Sequence, residues 1–141
     1  MAKDLFHDAV KVALQKEGWQ ITHDPYYLEA LGTDIQIDLG AEKLIGAKRG
    51  KEVIAVEVKS FIGPSLVYDF HLALGQYMNY LRGLRKTDPE RLLFLAVPKS
   101  AYTSFFAKTD VSEAAREFKL NLLVYDNVQQ IIVNWLKAEQ P

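Results

Sequence analysis

Residues 53–60 read Val-Ile-Ala-Val-Glu-Val-Lys-Ser, a carboxylate and an ammonium two positions apart in an otherwise apolar run. Val53, Ile54, Val56 and Val58 are β-branched and suit a pleated, half-buried surface. Alternate side chains of a strand point to opposite faces, so Ile54, Val56 and Val58 share one face and Ala55, Glu57 and Lys59 the other. Charge in so apolar a strand is costly unless it is paired or binds a cation. Upstream, Asp38 stands near the end of a second strand-like run on its polar side. If the two strands are neighbours, Asp38 and Glu57 meet. Two carboxylates that close repel unless a divalent cation lies between them. Oxygen ligands of this kind suit Mg²⁺ or Mn²⁺, with waters and a substrate phosphate completing the shell. Lys59 would orient or deprotonate the attacking water, or stabilise the transition state. These are the parts for metal-assisted phosphodiester hydrolysis.

The surrounding elements must hold those groups in place. Residues 4–17 keep helical spacing through Phe6, Val10, Ala13 and Leu14, with Asp4 as a candidate N-cap and Gly18 as a stop. Residues 19–22 suit a short strand, broken by Asp24-Pro25. Residues 33–39 alternate, with Ile35, Ile37 and Leu39 on one side and Asp34, Gln36 and Asp38 on the other, which predicts one strand. Residues 42–47 continue as a second short strand, and Lys48-Arg49-Gly50-Lys51 forms a basic turn into the strand 52–60, an antiparallel arrangement. Residues 65–84 form the longest helix, with a stripe of Leu66, Phe70, Ala73, Leu74, Tyr77, Leu81 and Leu84, ended by Thr87-Asp88-Pro89. Residues 92–97 are an unbroken apolar run, typical of a strand covered on both faces. A helical turn at 102–106, a helix at 111–118 capped by Asp110, a strand at 122–125 and a closing helix at 128–137 follow. Ile131, Ile132, Trp135 and Leu136 are the expected buried side of that last helix. Strand–helix–strand order implies right-handed parallel crossovers. The predicted fold is a single α/β domain over residues 1–141, with a mixed central sheet and helices on both faces.

Composition narrows the chemistry further. The chain has 141 residues, 49% hydrophobic and 25% charged, values of an ordinary folded domain. The net charge of −1 gives no overall basic field for nucleic acid. With no cysteine, disulfides, thiolate zinc sites and cysteine nucleophiles are excluded. The first residues lack the apolar core of a signal peptide, and no apolar run reaches the length of about 20 residues needed to span a membrane. A cytoplasmic location is the expectation.

The order helix, Ile-Asp-Leu at 37–39, basic turn, Val-Glu-Val-Lys at 56–59, long helix, strand, helix resembles the PD-(D/E)XK nuclease superfamily. Asp38 matches its Asp, Glu57 its Glu and Lys59 its Lys. Ile37 rather than Pro precedes Asp38, which leaves Asp34 as a rival. A closer resemblance spans nearly the whole chain. Lys-Asp-Leu-Phe-His-Asp-Ala-Val at 3–10, Gly-Trp-Gln-Ile-Thr-His-Asp-Pro at 18–25, Ile-Asp-Leu-Gly-Ala-Glu at 37–42, Val-Glu-Val-Lys-Ser-Phe at 56–61 and Ala-Leu-Gly-Gln-Tyr at 73–77 are similar to the XisH family. That family is named for controlling excision of the fdxN element in cyanobacteria, beside a site-specific recombinase and a small protein, XisI. The resemblance implies a restriction-endonuclease-like fold and a Mg²⁺- or Mn²⁺-dependent endodeoxyribonuclease acting in programmed element excision. DNA, an XisI-like protein and the recombinase are the implied partners, and a homodimer the implied assembly. It places Asp38 and Glu57 on the metal, Lys59 on the water, Asp8 of the first helix as an extra acidic ligand and Gln76 of the long helix as a polar site group.

Plainer readings stand beside each assignment. Asp8 also fits the solvated face of an amphipathic helix, Gln76 a buried hydrogen-bonding residue, and Asp38 a strand-end turn beside Gly40. His7, His23 and His71 have no metal-ligand spacing and are expected to be structural or exposed. Among the tyrosines, some could stack on bases, while Tyr77 fits the core. A second function class follows: a catalytically silent DNA- or XisI-binding regulator that keeps the nuclease fold.

Overall fold

A computed structural model describes residues 2–44 and 50–138, with the backbone alone at 2–4 and 44. Six strands form the central sheet in the order β1 (Gln20–His23), β4 (Leu39–Leu44), β5 (Lys51–Val58), β6 (Leu92–Pro98), β7 (Leu122–Asp126), β8 (Ile131–Leu136). Two more, β2 (Tyr26–Ala30) and β3 (Thr33–Ile37), make a separate antiparallel hairpin. β1, β4 and β5 pair antiparallel, β5 to β7 run parallel, and β8 returns antiparallel to β7. The predicted α/β domain with a mixed sheet and helices on both faces is the observed architecture.

Period-2 alternation along β5 divides the interior into two cores. Ile54 and Val56 pack with Val10 and Leu14 of α1 (Ala2–Lys16), together with Trp19, Leu39 and Phe94. Ala55 points the other way, into a core with Phe70, Ala73, Tyr77 and Leu84 of α2 (Leu66–Thr87) and Leu28 and Ile37 of the hairpin. α2 starts where the Ser65 hydroxyl accepts the Tyr68 N–H at 3.1 Å. It ends at Asp88, ahead of a proline that cannot continue it. Over β6 and β7 on the same face lie α3 (Lys99–Ala101), a π-helical turn (Tyr102–Phe106) and α4 (Thr109–Glu117).

Four expectations are corrected. The closing helix at 128–137 is instead the hairpin strand β8. Asp126 Oδ1 accepts the N–H groups of Val128 and Gln129, and the chain turns back on β7. Val124 pairs with Asn134 but Tyr125 with Ile132, so Val133 bulges out of the ladder. The bulge lets Ile132 and Trp135 share the α1 side, a spacing of three that imitates a helix. The single strand at 33–39 is broken at Asp38: Ile37 enters the α2 core and Leu39 the α1 core, so they do not share a face. Residues 26–30, assigned no element from sequence, form β2. Asp4 lies within α1 and Asp110 within the first turn of α4, whose N-cap is Lys108. Of the basic turn and the strand at 42–47, residues 45–49 lie outside the described residues, and β4 is described to Leu44.

The hairpin docks on the C-terminal half of α2 at a glycine. A Cβ on Gly83 would stand 2.9 Å from Leu28 Cδ2, 3.2 Å from Leu28 Cγ and 3.3 Å from Ala30 Cβ. Leu28 is 3% exposed and has little room to yield. Replacing a mid-helix glycine by alanine ordinarily stabilises by about 1 kcal/mol. Gly83→Ala should instead lower stability by about 1–2 kcal/mol in urea unfolding, because overpacking costs more than propensity returns. In a Leu28→Ala background the cost should vanish; additive losses would place the strain elsewhere.

Candidate functional site

Glu57 stands at the carboxyl end of β5, opposite Leu95 of the parallel neighbour β6, and is 7% exposed. Its parity with Ala55 turns it to the α2 side of the sheet. Asp38 occupies the one-residue step between β3 and β4, where the chain passes from the hairpin into the main sheet. That step brings the two carboxylates together reciprocally. The Asp38 N–H donates to Glu57 Oε1 at 3.2 Å, and the Val58 N–H donates to Asp38 Oδ2 at 2.8 Å. Lys59, whose own N–H still donates to Ala96 O, places Nζ 3.5 Å from Glu57 Oε2. The three residues singled out in the sequence are thus one cluster.

The electrostatics follow from burial. Desolvation, then the charge of Asp38, pushes Glu57 up from 4.5 to about 7, against the opposing pull of Lys59 and the Asp38 N–H. Two tyrosines sense the same charge. Tyr80, on α2, is pushed up to about 12 by burial and then by Glu57 and Asp38. Tyr125, on β7, donates its hydroxyl to Lys59 O at 3.0 Å, and burial and Asp38 raise it. Both phenols are thus held protonated, Tyr125 donating to the backbone of Lys59 from the α1 side of the sheet. Neither was assigned a site role from sequence. The one visible signal was Tyr80 at i+4 from Gln76, one turn along the same helical face.

Gln76 is half-buried, and its Oε1 is buried with no hydrogen-bond partner. An acceptor left so is an opening for a cation, a water or a substrate donor. Asp8 is not brought to the pair. It is exposed on α1, which packs on the opposite side of the sheet from Glu57, and its charge acts on Lys11. Among the described residues no three His, Cys, Asp or Glu side chains converge as metal ligands. Asp34, the rival aspartate, is exposed in the hairpin opposite Glu29. His7 bonds Asp24 at 2.8 Å, His23 packs edge-on against Tyr26, and His71 is exposed. Tyr77 is core: its hydroxyl donates to Leu93 O and accepts the Asn121 N–H.

The donor set fits a hard divalent cation. Backbone N–H groups hold Asp38 Oδ2 and Glu57 Oε1, which leaves Asp38 Oδ1 and Glu57 Oε2 clear of the main chain. Two carboxylates, with waters and phosphate for the rest, are what Mg²⁺ ordinarily takes from a protein.

The architecture defines an α/β domain in which the central strand β5 and the β3–β4 step bring a buried glutamate, a half-buried aspartate and a lysine to one point. The family model described as XisH protein matches residues 1–133. The chain belongs to the XisH family. A crystal structure of an XisH family protein from Nostoc punctiforme PCC 73102 superposes with a TM-score of 0.86 at 43% identity, covering 95% of this chain and 100% of that one. The structure of an fdxN element excision controlling factor protein from Anabaena variabilis gives a TM-score of 0.84 at 42% identity, covering 95% and 99%. Comparison with curated proteins returns no match.

The raised Glu57 couples the site to stability. A proton binds the folded state more tightly than the unfolded one. The stability it carries is therefore whole below about 4.5 and is lost as pH rises through about 7. Glu57→Gln, which keeps an acceptor for the Asp38 N–H without a charge, should match wild type near pH 4 and exceed it by roughly 3 kcal/mol near pH 8, measured by urea unfolding in chelator. A difference that does not change with pH would mean that Glu57 ionises as freely folded as unfolded.

Proposed function

We propose that this protein is a Mg²⁺- or Mn²⁺-dependent endonuclease-like protein of the PD-(D/E)XK type, hydrolysing DNA phosphodiester bonds in programmed element excision. The observation that carries the reading is Glu57, a carboxylate kept in a sheet interior and paired with Asp38 and Lys59 in the order that superfamily uses. The name of the Anabaena variabilis relative supplies the biological setting, and an XisI-like protein and the excision recombinase are the partners in this reading. A bound cation would supply charge neutralisation at the phosphate and a more acidic water.

The chain's own groups have separable tasks. Asp38 and Glu57 would hold the cation, each having one oxygen that the backbone leaves clear. Lys59 Nζ, 3.5 Å from Glu57 Oε2, stands where its ammonium can orient a water or stabilise negative charge developing on the phosphate. Gln76 offers an unpartnered oxygen on the same side, and the Tyr80 hydroxyl a permanent donor. Asp8 has no task in this arrangement. Because Glu57 must give up its proton to bind a cation, metal affinity rises with pH through about 7.

One feature favours a second reading, the catalytically silent DNA- or XisI-binding regulator. The reciprocal bonds of Asp38 and Glu57 also stitch the β3–β4 step to β5, a structural task that needs no cation. A cleavage assay with Mn²⁺ on linear, supercoiled and branched DNA, with and without an XisI-like protein, separates the two. The nuclease reading expects nicking that falls about 100-fold or more in Lys59→Ala with DNA binding retained. It also expects Mn²⁺ binding, measured calorimetrically, to be lost in Asp38→Ala. No cleavage by wild type in any arm, with Mn²⁺ bound equally by Asp38→Ala, leaves the regulator.

A further inference from the structure

α2 carries a face that its own domain does not use. Along its outer side Tyr68, His71, Leu72, Gly75, Met78, Asn79 and Arg82 are exposed, and 3.6-residue spacing puts them in one stripe with Gly75 at its centre. Tyr68 is 61% exposed, Leu72 51% and Met78 47%, large apolar groups side by side on one helix. Gly75 itself is unexplained by the fold. A Cβ there would meet nothing within 4 Å, and no positive φ requires glycine. A mid-helix glycine costs about 1 kcal/mol relative to alanine. Gly83 on the same helix shows what such a residue does when it has a reason, since the Leu28 and Ala30 side chains of the hairpin lie against it.

The stripe is complementary to itself when reversed. About Gly75, Tyr68 and Arg82 are equidistant, as are His71 and Asn79, and Leu72 and Met78. In an antiparallel pair crossing at Gly75, each tyrosine ring meets a guanidinium, each histidine an amide and each leucine a methionine. These are a cation–π pair, a hydrogen-bonding pair and an apolar pair. Tyr68 and Arg82 lie about 10 Å on either side of the crossing, within reach of long side chains at the shallow angle of about 20° usual for antiparallel helices.

We infer that this face of α2 is a two-fold interface on which a second copy of the chain docks, the two α2 helices crossing antiparallel at Gly75. A two-fold contact requires a patch that complements itself, which the pairing about Gly75 provides and a patch for an unrelated partner would not need. Two helix faces bury less than the roughly 1,200–2,000 Å² of a stable interface, so the dimer is weak and concentration-dependent. Lys59 and Ser60 precede the N-terminus of α2, so the crossing sets the spacing of the two carboxylate sites. The inference does not rest on the nuclease reading.

The absence of cysteine makes the test clean. In Gly75→Cys the two new thiols meet at the axis. Mild oxidation should then give a disulfide dimer at least about tenfold faster than Glu113→Cys, an exposed control on α4. In sedimentation velocity, wild type should shift from monomer to dimer between about 1 and 500 µM. Arg82→Glu should stay monomeric, and Tyr68→Lys with Arg82→Glu should restore the dimer, because those positions meet across the axis. Circular dichroism confirms that each variant is folded. A wild type that stays monomeric throughout, cross-linking no faster than the control, or a double variant no better than Arg82→Glu alone would overturn the interface.

Discussion

Everything about this protein bends around one desolvated carboxylate. Glu57 sits where a sheet residue ought to be apolar, and burial next to Asp38 makes its ionised form costly. The fold meets that cost locally. It brings a backbone N–H from the β3–β4 step to one oxygen and a lysine ammonium to the other. The parallel strands and α2 can then close over the site without leaving a bare charge in the interior.

Positioning rests on parity. β5 alternates so strictly that Ile54 and Val56 enter one core and Ala55 and Glu57 the other. A one-residue slip would exchange the cores and expel Glu57 from the α2 side. The register against β4 and β6 is therefore a functional specification as much as a structural one. Arg91 holds it from below, bonding Ile54 O at 2.8 Å and Asp88 at 2.8 Å while lying 4.7 Å from the Tyr26 ring. That single side chain ties β5, the end of α2 and the hairpin together.

What the sequence made legible was local and periodic. β5, β6 and β7 declared themselves by apolar runs, α2 by its stripe and cap, and Asp38, Glu57 and Lys59 by charge in an apolar setting. What escaped it was set by tertiary packing. β8 was misread because a bulge at Val133 gives Ile132 and Trp135 the spacing of helix neighbours. The strand 33–39 alternates without interruption, yet it divides at Asp38 because its two halves belong to different cores. Tyr80 and Tyr125 reach the site from a helix and a strand that no pattern relates to β5. Asp8, a site candidate from its place in the first helix, is exposed on α1, which packs across the sheet from Glu57.

The step at Asp38 also determines how the site is held together. Among the described residues the hairpin β2–β3 shares no hydrogen-bonded ladder with the main sheet; it is held by docking on α2 through Leu28, Ala30 and Ile37, by Tyr26 on Asp88 and Arg91, and by the Asp38 bonds to β5. Its attachment is therefore by side-chain packing and a few hydrogen bonds rather than by a strand ladder. Asp38 is the residue at its hinge. Any displacement of the hairpin would withdraw one carboxylate from its partner. The assembled site thus depends on the docking of the hairpin against α2 as much as on the register of the main sheet.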